Sequence, residues 1–264
     1  MEAGLSRGDL TEAEWRVLKS LLPIEPENRG RGRPPGQNRS IINGILWRLR
    51  CGVPWRDVPS KYGSWNAIYR RFRRWSEAGV WETVAVTLAE IMADSGHYSI
   101  DSTTVRAHVS AAGGKGGTHR RALGRSRGGF TSKLHCLADA LGRPLAFILT
   151  GGEAADCKAY DALIGLPERT PEALLADKGY DADAIRANLA ERNIEAVIPG
   201  RSNRRVKIEH DRALYKQRNR IERMFGQLKI NRAIATRYDQ LANSFLGMVH
   251  LATARYWLKF VHAA

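Results

Sequence analysis

The 264-residue chain predicts an α/β domain with a mixed sheet, preceded by an all-helical module of the helix-turn-helix type. Up to about residue 95 apolar residues recur at helical spacing, whereas from His97 onward short apolar runs bounded by Gly, Pro and Asp take over. Those runs read as one strand, a hairpin, and two strands that each follow a helix, an order that calls for antiparallel and parallel pairing in one sheet. The helical part contains an arginine-faced helix. Domains are therefore expected at 1–95, with the helix-turn-helix at about 38–78, and at 96–264.

In the first module Thr11 and Glu14 form a capping box ahead of Trp15, Leu18, Leu21 and Leu22, and Pro23 ends that helix. The basic, Gly- and Pro-rich residues 28–36 are expected to be an extended tether. Ile41, Ile42, Ile45, Leu46 and Leu49 mark a second amphipathic helix, stopped near Gly52. Residues 55–62 read as a short helix, Gly63 as its stop, and Ser64 as the cap of a longer helix to about Ala78. On that helix Trp65, Ile68, Phe72 and Trp75 share one face, and Arg70, Arg71, Arg73 and Arg74 point away from it. Four arginines in five residues repel one another unless a polyanion neutralises them, so DNA contact is expected there. An ordinary basic surface helix would show the same pattern.

From Gly96 the pattern becomes strand-like, and residues 97–104 carry Asp101 into a strand. Residues 110–133, with seven glycines and no acid, are expected to form a mobile Gly/Arg-rich loop. Residues 132–138 and 144–150 predict a hairpin over 139–143. A helix at 158–165, a buried strand at 173–177, a helix at 182–192 and a short strand at 195–198 follow, and then a helix from Tyr215.

Net charge is +15 and unevenly placed. Residues 29–75, 115–133 and 201–237 carry +11, +6 and +9, leaving −11 elsewhere. Such blocks fit a polyanion partner. No apolar run approaches the roughly 18 to 20 residues of a spanning helix, and Glu2 and Asp9 do not suit a signal peptide, so a soluble, cytoplasmic protein without a membrane partner is expected. Cys51, Cys136 and Cys157 are odd in number and form no CxxC pair, which argues against a disulfide framework or structural zinc. His108 and His135 have no third soft ligand at suitable spacing and read as core or phosphate contacts.

Asp101 and Asp177 each stand where a buried strand reaches solvent, a position at which α/β domains gather reactive groups. Strand-end aspartates also cap turns. If the strand ending at Asp177 lies parallel to that of Asp101, the two carboxylates stand side by side and favour bound cations. The third acid lies in Tyr215-x2-Arg218-x3-Glu222-x6-Lys229. At about 100° per residue these four fall at roughly 0°, 300°, 340° and 320°, one narrow stripe. Ile221, Met224, Phe225 and Leu228 form the adjoining apolar face. An intrahelical ion-pair ladder would use the same residues. Three carboxylates with open metal positions suit phosphoryl transfer assisted by two Mg²⁺ (or Mn²⁺) ions. Lys178 can reach a phosphate, and Arg125, Arg127 and Lys133 are expected to clamp DNA nearby.

The runs Ile100-Asp-Ser-Thr-Thr-Val-Arg-Ala-His108, Gly124-Arg-Ser-Arg-Gly-Gly-Phe-Thr-Ser-Lys-Leu-His135 and Ala176-Asp-Lys-Gly-Tyr-Asp181, with the Tyr-Arg-Glu-Lys helix, resemble bacterial insertion-sequence transposases of the IS5 family. Gly32-Arg-Pro-Pro35, Asn43-Gly-Ile-Leu-Trp-Arg-Leu-Arg50, Val53-Pro-Trp-Arg-Asp-Val-Pro59 and Arg71-Phe-Arg-Arg-Trp75 resemble that family's leading region, so the likeness covers nearly the whole chain. It implies a ribonuclease H-like catalytic domain with a DDE site. Asp101, Asp177 and Glu222 would be the metal-binding catalytic triad, and Tyr215, Arg218 and Lys229 its DNA-contacting companions. The substrate would be double-stranded DNA, both terminal inverted repeats and target, handled by a homo-dimer or larger assembly and associated with the nucleoid when bound. The 45-residue interval from Asp177 to Glu222 leaves no room for a large insertion domain. Two other classes use many of the same features: a DNA-binding regulator with a structural acid cluster, and a stand-alone ribonuclease H-like nuclease acting on RNA–DNA hybrids.

Overall fold

The computed structural model describes residues 8–23, 37–112 and 122–260. The tether expected at 28–36, and residues 113–121 of the expected loop, lie outside the described residues. The chain divides into two compact units, residues 1–88 with 228–264 and residues 89–227.

The first unit opens with α1 (Glu12–Leu21), held by the anticipated capping box: Glu14 N–H donates to Thr11 Oγ1, and Thr11 N–H to the Glu14 carboxylate. Helix α2 (Asn38–Cys51) ends at Gly52, whose φ of +68° is left-handed. Residues 55–62 form two 3-10 turns, Trp55–Asp57 and Ser60–Tyr62, where a single short helix was expected. Pro54 and Pro59 each precede a turn, and a ring without N–H at residue 59 interrupts any continuous α-helix. Helix α3 (Trp65–Glu77) buries Ile68, Phe72 and Trp75, and α4 (Val80–Met92) brings Trp81 against Phe72 and Trp75.

In the second unit β1 (His97–Ala107) leads into the single turn α5 (Val109–Ala112). Strands β2 (Gly124–Ser126), β3 (Gly129–Ala138) and β4 (Pro144–Gly151) follow, then a 3-10 turn at Asp156–Ala159 and α6 (Tyr160–Ile164). Next come β5 (Ala173–Leu175), α7 (Asp183–Glu191), β6 (Glu195–Val197) and α8 (Arg212–Tyr215), and a 3-10 turn (Lys216–Arg218) leads into α9 (Asn219–Lys229). The strand order is β4-β3-β1-β5-β6, with β2 alongside the start of β3. Pairs β1–β3 and β3–β4 are antiparallel, while β5 runs parallel to both β1 and β6. This is the mixed sheet expected, in ribonuclease H-like order.

Two local expectations change. From Gly124 onward the stretch expected to be loop is a hairpin, with Gly124 opposite Thr131 and Ser126 opposite Gly129. Gly129 at φ +92° serves its tight turn, so the glycines there mark a turn between strands. The helix expected to run unbroken from Tyr215 tightens to 3-10 geometry over 216–218, where each residue advances by about 120° and the stripe shifts.

The first unit is completed by α10 (Arg232–Ala235) and α11 (Ala242–Leu258). Helix α11 packs on α3, close enough that a Cβ at Gly247 would meet Ser76 and Trp81. Trp257 is fully buried, as expected for a helix docked on a core. Arg48 and Asp239 form a buried ion pair at 3.1 Å. Among the described residues no helix is long and apolar enough to cross a membrane.

Candidate active site

The β1–β5 register sets His97 opposite Ala173, Tyr98 opposite Leu174 and Ser99 opposite Leu175. Continued by two residues, it puts Asp101 level with Asp177. The Asp101 Oδ1 accepts the N–H of Ser102 at 2.8 Å, and Oδ2 accepts Arg218 Nη1 at 2.8 Å. Asp177 caps the 3-10 turn that follows β5, its Oδ1 accepting the Gly179 N–H at 2.8 Å. Burial pushes the Asp101 pKa up, the Ser102 N–H and Arg218 pull it down, and the negative charge of Asp177 pushes it up again, leaving it above the usual value. The two aspartates therefore feel each other's charge.

Glu222 enters from α9. Its carboxylate pairs with Arg218 Nη2, so one guanidinium bridges Asp101 and Glu222. Burial works to lower the Arg218 pKa, but the two carboxylates outweigh it and raise it. Tyr215 lies against Ala173, Leu175 and Val197, with its ring 5.9 Å from the Arg218 guanidinium. Ile221, Met224 and Phe225 are buried on the adjoining side of α9, as its apolar face predicts. A second anchor comes from the β3–β4 hairpin, where Asp139 accepts the N–H groups of Leu141 and Arg143, and Ala140 C=O accepts Arg220 Nη1. Gly142 has φ +77°, and a Cβ there would stand 2.6 Å from Arg220 Cβ. Gly142→Ala is expected to cost about 2–3 kcal/mol through strain and collision, read by chemical denaturation.

The other predicted residues divide. Lys178 is exposed beside Asp177, and Arg125 and Arg127 are exposed on the β2–β3 hairpin, Arg125 lying 5.2 Å over the Phe130 ring. Lys133 is not presented as a clamp. Its side chain is 14% exposed, the ammonium donating to Ala154 C=O at 2.6 Å and pairing with Asp156 at 3.0 Å. Lys229 ends α9 half-buried. His135 is a core residue, its Nε2 2.8 Å from Thr150 Oγ1, and burial lowers its pKa to about 4. Asp156 and Ser102, which join this neighbourhood, were missed by the sequence reading; the available signal was an acid five residues after the end of β4, in Gly152-Glu-Ala-Ala-Asp156.

In the first unit Arg70, Arg73 and Arg74 are exposed, Arg73 pairing with Glu77 at 2.8 Å. Arg71 is buried, donates to Asn38 Oδ1 and lies over the Trp75 ring, so the expectation that it faces DNA is corrected. It falls on the inner side because α2 packs against α3, a contact no helical wheel of α3 alone contains. Arg70 and Arg74 border a cavity of about 600 Å³ with Ser40, Lys61 and Ser64.

Hard carboxylate oxygens such as those of Asp101, Asp177 and Glu222 are the donor type a divalent cation takes. Among the described residues no three His, Cys, Asp or Glu side chains are gathered closely enough to hold an ion as they stand. Arg218 instead supplies the positive charge between Asp101 and Glu222.

The sheet order, with β5 parallel to β1 and β3 antiparallel to it, is that of a ribonuclease H-like fold. Residues 93–257 match the family "Transposase DDE domain" and residues 10–85 match "Putative transposase of IS4/5 family"; the chain belongs to the IS4/5 family of DDE transposases. It is 40% identical over 132 residues to "Putative transposase for insertion sequence element IS6501" of Brucella ovis, covering 49% of this chain and 99% of that one. It is 35% identical over 122 residues to "Putative transposase for insertion sequence element IS402" of Burkholderia cepacia, covering 42% of this chain and 56% of that one. A piggyBac transposase in a synaptic complex with hairpin DNA shares the fold, with a TM-score of 0.54 and 11% identity over 95% of this chain and 70% of that one. The protein is a DNA transposase, an enzyme of DNA cleavage and strand transfer, and a DDE domain carries a dependence on divalent metal.

Proposed function

We propose that the chain binds the terminal inverted repeats of its own insertion sequence through the exposed arginines of α3, cleaves at the element ends, and joins the freed 3′-hydroxyls to target DNA. Asp101, Asp177 and Glu222 would hold two Mg²⁺ (or Mn²⁺) ions. Bound there, such ions would supply Lewis acidity for a water or hydroxyl nucleophile and for the departing oxygen. The parallel β1–β5 register, which pairs Ser99 with Leu175 two residues before Asp101 and Asp177, is the single observation that supports this reading most directly. Arg218 orients Asp101 and Glu222, and its planar fork suits bidentate contact with a phosphate. Lys178, Arg125, Arg127, Tyr215 and Lys229 would grip the flanking backbone. Because two ends must be processed together, the working form would be a homo-dimer or larger on DNA, held at the nucleoid.

The test uses duplexes carrying the element's end, offered with Mg²⁺ or with EDTA. Site-specific nicking and joining in Mg²⁺, with neither in EDTA, is expected. End binding without metal-dependent nicking would replace this reading with a DNA-binding regulator. Cleavage of RNA–DNA hybrids without joining would replace it with a simple nuclease.

A further inference from the structure

Asp156 stands in the 3-10 turn after β4, outside the three-acid set, yet it is wired to it. Its Oδ1 accepts the Ser102 hydroxyl at 2.6 Å, and the backbone N–H of the same Ser102 donates to Asp101 Oδ1 at 2.8 Å. Ser102 is thus tied on one side to Asp156 and on the other to Asp101. Lys133 Nζ stands 3.0 Å from the same Oδ1 and donates to Ala154 C=O, closing the contact onto the turn that carries Asp156. The β1–β3 register puts Ser102 opposite His135, whose Nδ1 lies 4.0 Å from Asp156 Oδ1. The Tyr180 hydroxyl is buried without a hydrogen-bond partner and lies within the fields of Asp156, Asp101 and Asp177. Asp156 is a third exposed, and its partner Lys133 is the more buried of the pair.

We infer that Asp156 is a positioning residue for the carboxylate site, fixing Asp101 through Ser102 so that its oxygens are oriented before a divalent cation binds. The inference rests on the metal-site reading proposed above. Groups that orient ligands without touching the metal typically change affinity by about 10- to 100-fold when removed.

The experiment measures Mn²⁺ binding to the full chain by electron paramagnetic resonance, for the native protein and for Asp156→Asn, Ser102→Ala, Ser102→Thr and Asp101→Asn. Asp156→Asn and Ser102→Ala should each weaken binding about tenfold. Ser102→Thr, which keeps the hydroxyl, should restore it, and end-DNA binding should be unchanged throughout. Native Mn²⁺ affinity in Ser102→Ala, with Asp101→Asn weakened, overturns the inference and leaves the metal site standing. Equal affinity in the native chain and Asp101→Asn overturns both. Should Asp156→Asn fail to fold, the Ser102 pair decides the matter.

Discussion

Glu222→Gln is expected to bind element-end DNA as the native chain does and to cut it at least about a thousandfold more slowly in Mg²⁺, a loss of about 4 kcal/mol of transition-state stabilisation. The change is nearly isosteric and removes one negative charge. Little folding free energy goes with it, because Glu222 is 51% exposed and its ion pair with Arg218 is worth at most about 1 kcal/mol. Helix α9 stays docked through Ile221, Met224 and Phe225, which the substitution does not touch. A gel shift and a nicking assay on one labelled duplex separate the two effects. Cleavage near the native rate would remove Glu222 from the chemistry.

The largest expected loss of stability comes from Asp181→Ala. The Asp181 carboxylate is fully buried and accepts Arg186 Nε at 2.8 Å, Arg204 Nε at 2.7 Å and the Arg201 N–H at 2.7 Å. Removing it leaves three donors around an empty site, expected to cost about 3–5 kcal/mol by chemical denaturation. Burial alone would raise the Asp181 pKa, but hydrogen bonds from Arg204, Arg201 and Arg186 overcome it and hold it well below the usual value. Because the folded value is depressed, the stabilisation is complete above the unfolded carboxyl value of about 4 and drains away as pH falls below it. The native chain should therefore lose this increment in acid, and Asp181→Ala should lack that part of the pH dependence. An unchanged acid limb in the variant would contradict the assignment. Activity should suffer too, since Arg201 donates to the carbonyls of Lys178 and Gly179 in the turn that Asp177 caps.

Local chemistry was legible where the deciding contact lies within a few residues. The Thr11–Glu14 capping box, the 139–143 turn held by Asp139, and the apolar face of α9 all follow from neighbours in sequence. Residues 54–62 misled because the prolines, more than the intervening pattern, set the geometry. Arg71 misled for a different reason: it is as polar as Arg70, and only the packing of α2 on α3 puts it inside. Lys133 was read as a DNA clamp because its partner, Asp156, is 23 residues away across a hairpin.

The amino-acid sequence by itself determined most of the element types, the basic blocks, the strand that carries Asp101, the strand that Asp177 follows and the helix that carries Glu222, because period and composition encode these within a short window. Only the tertiary structure decided that β1 and β5 run parallel with Ser99 opposite Leu175, that Arg218 reaches Asp101, and that Ser102 links Asp101 to Asp156. The Ser102–Asp156 and Arg218–Asp101 contacts join residues 54 and 117 apart, set by sheet register and helix docking, and no local spacing specifies them.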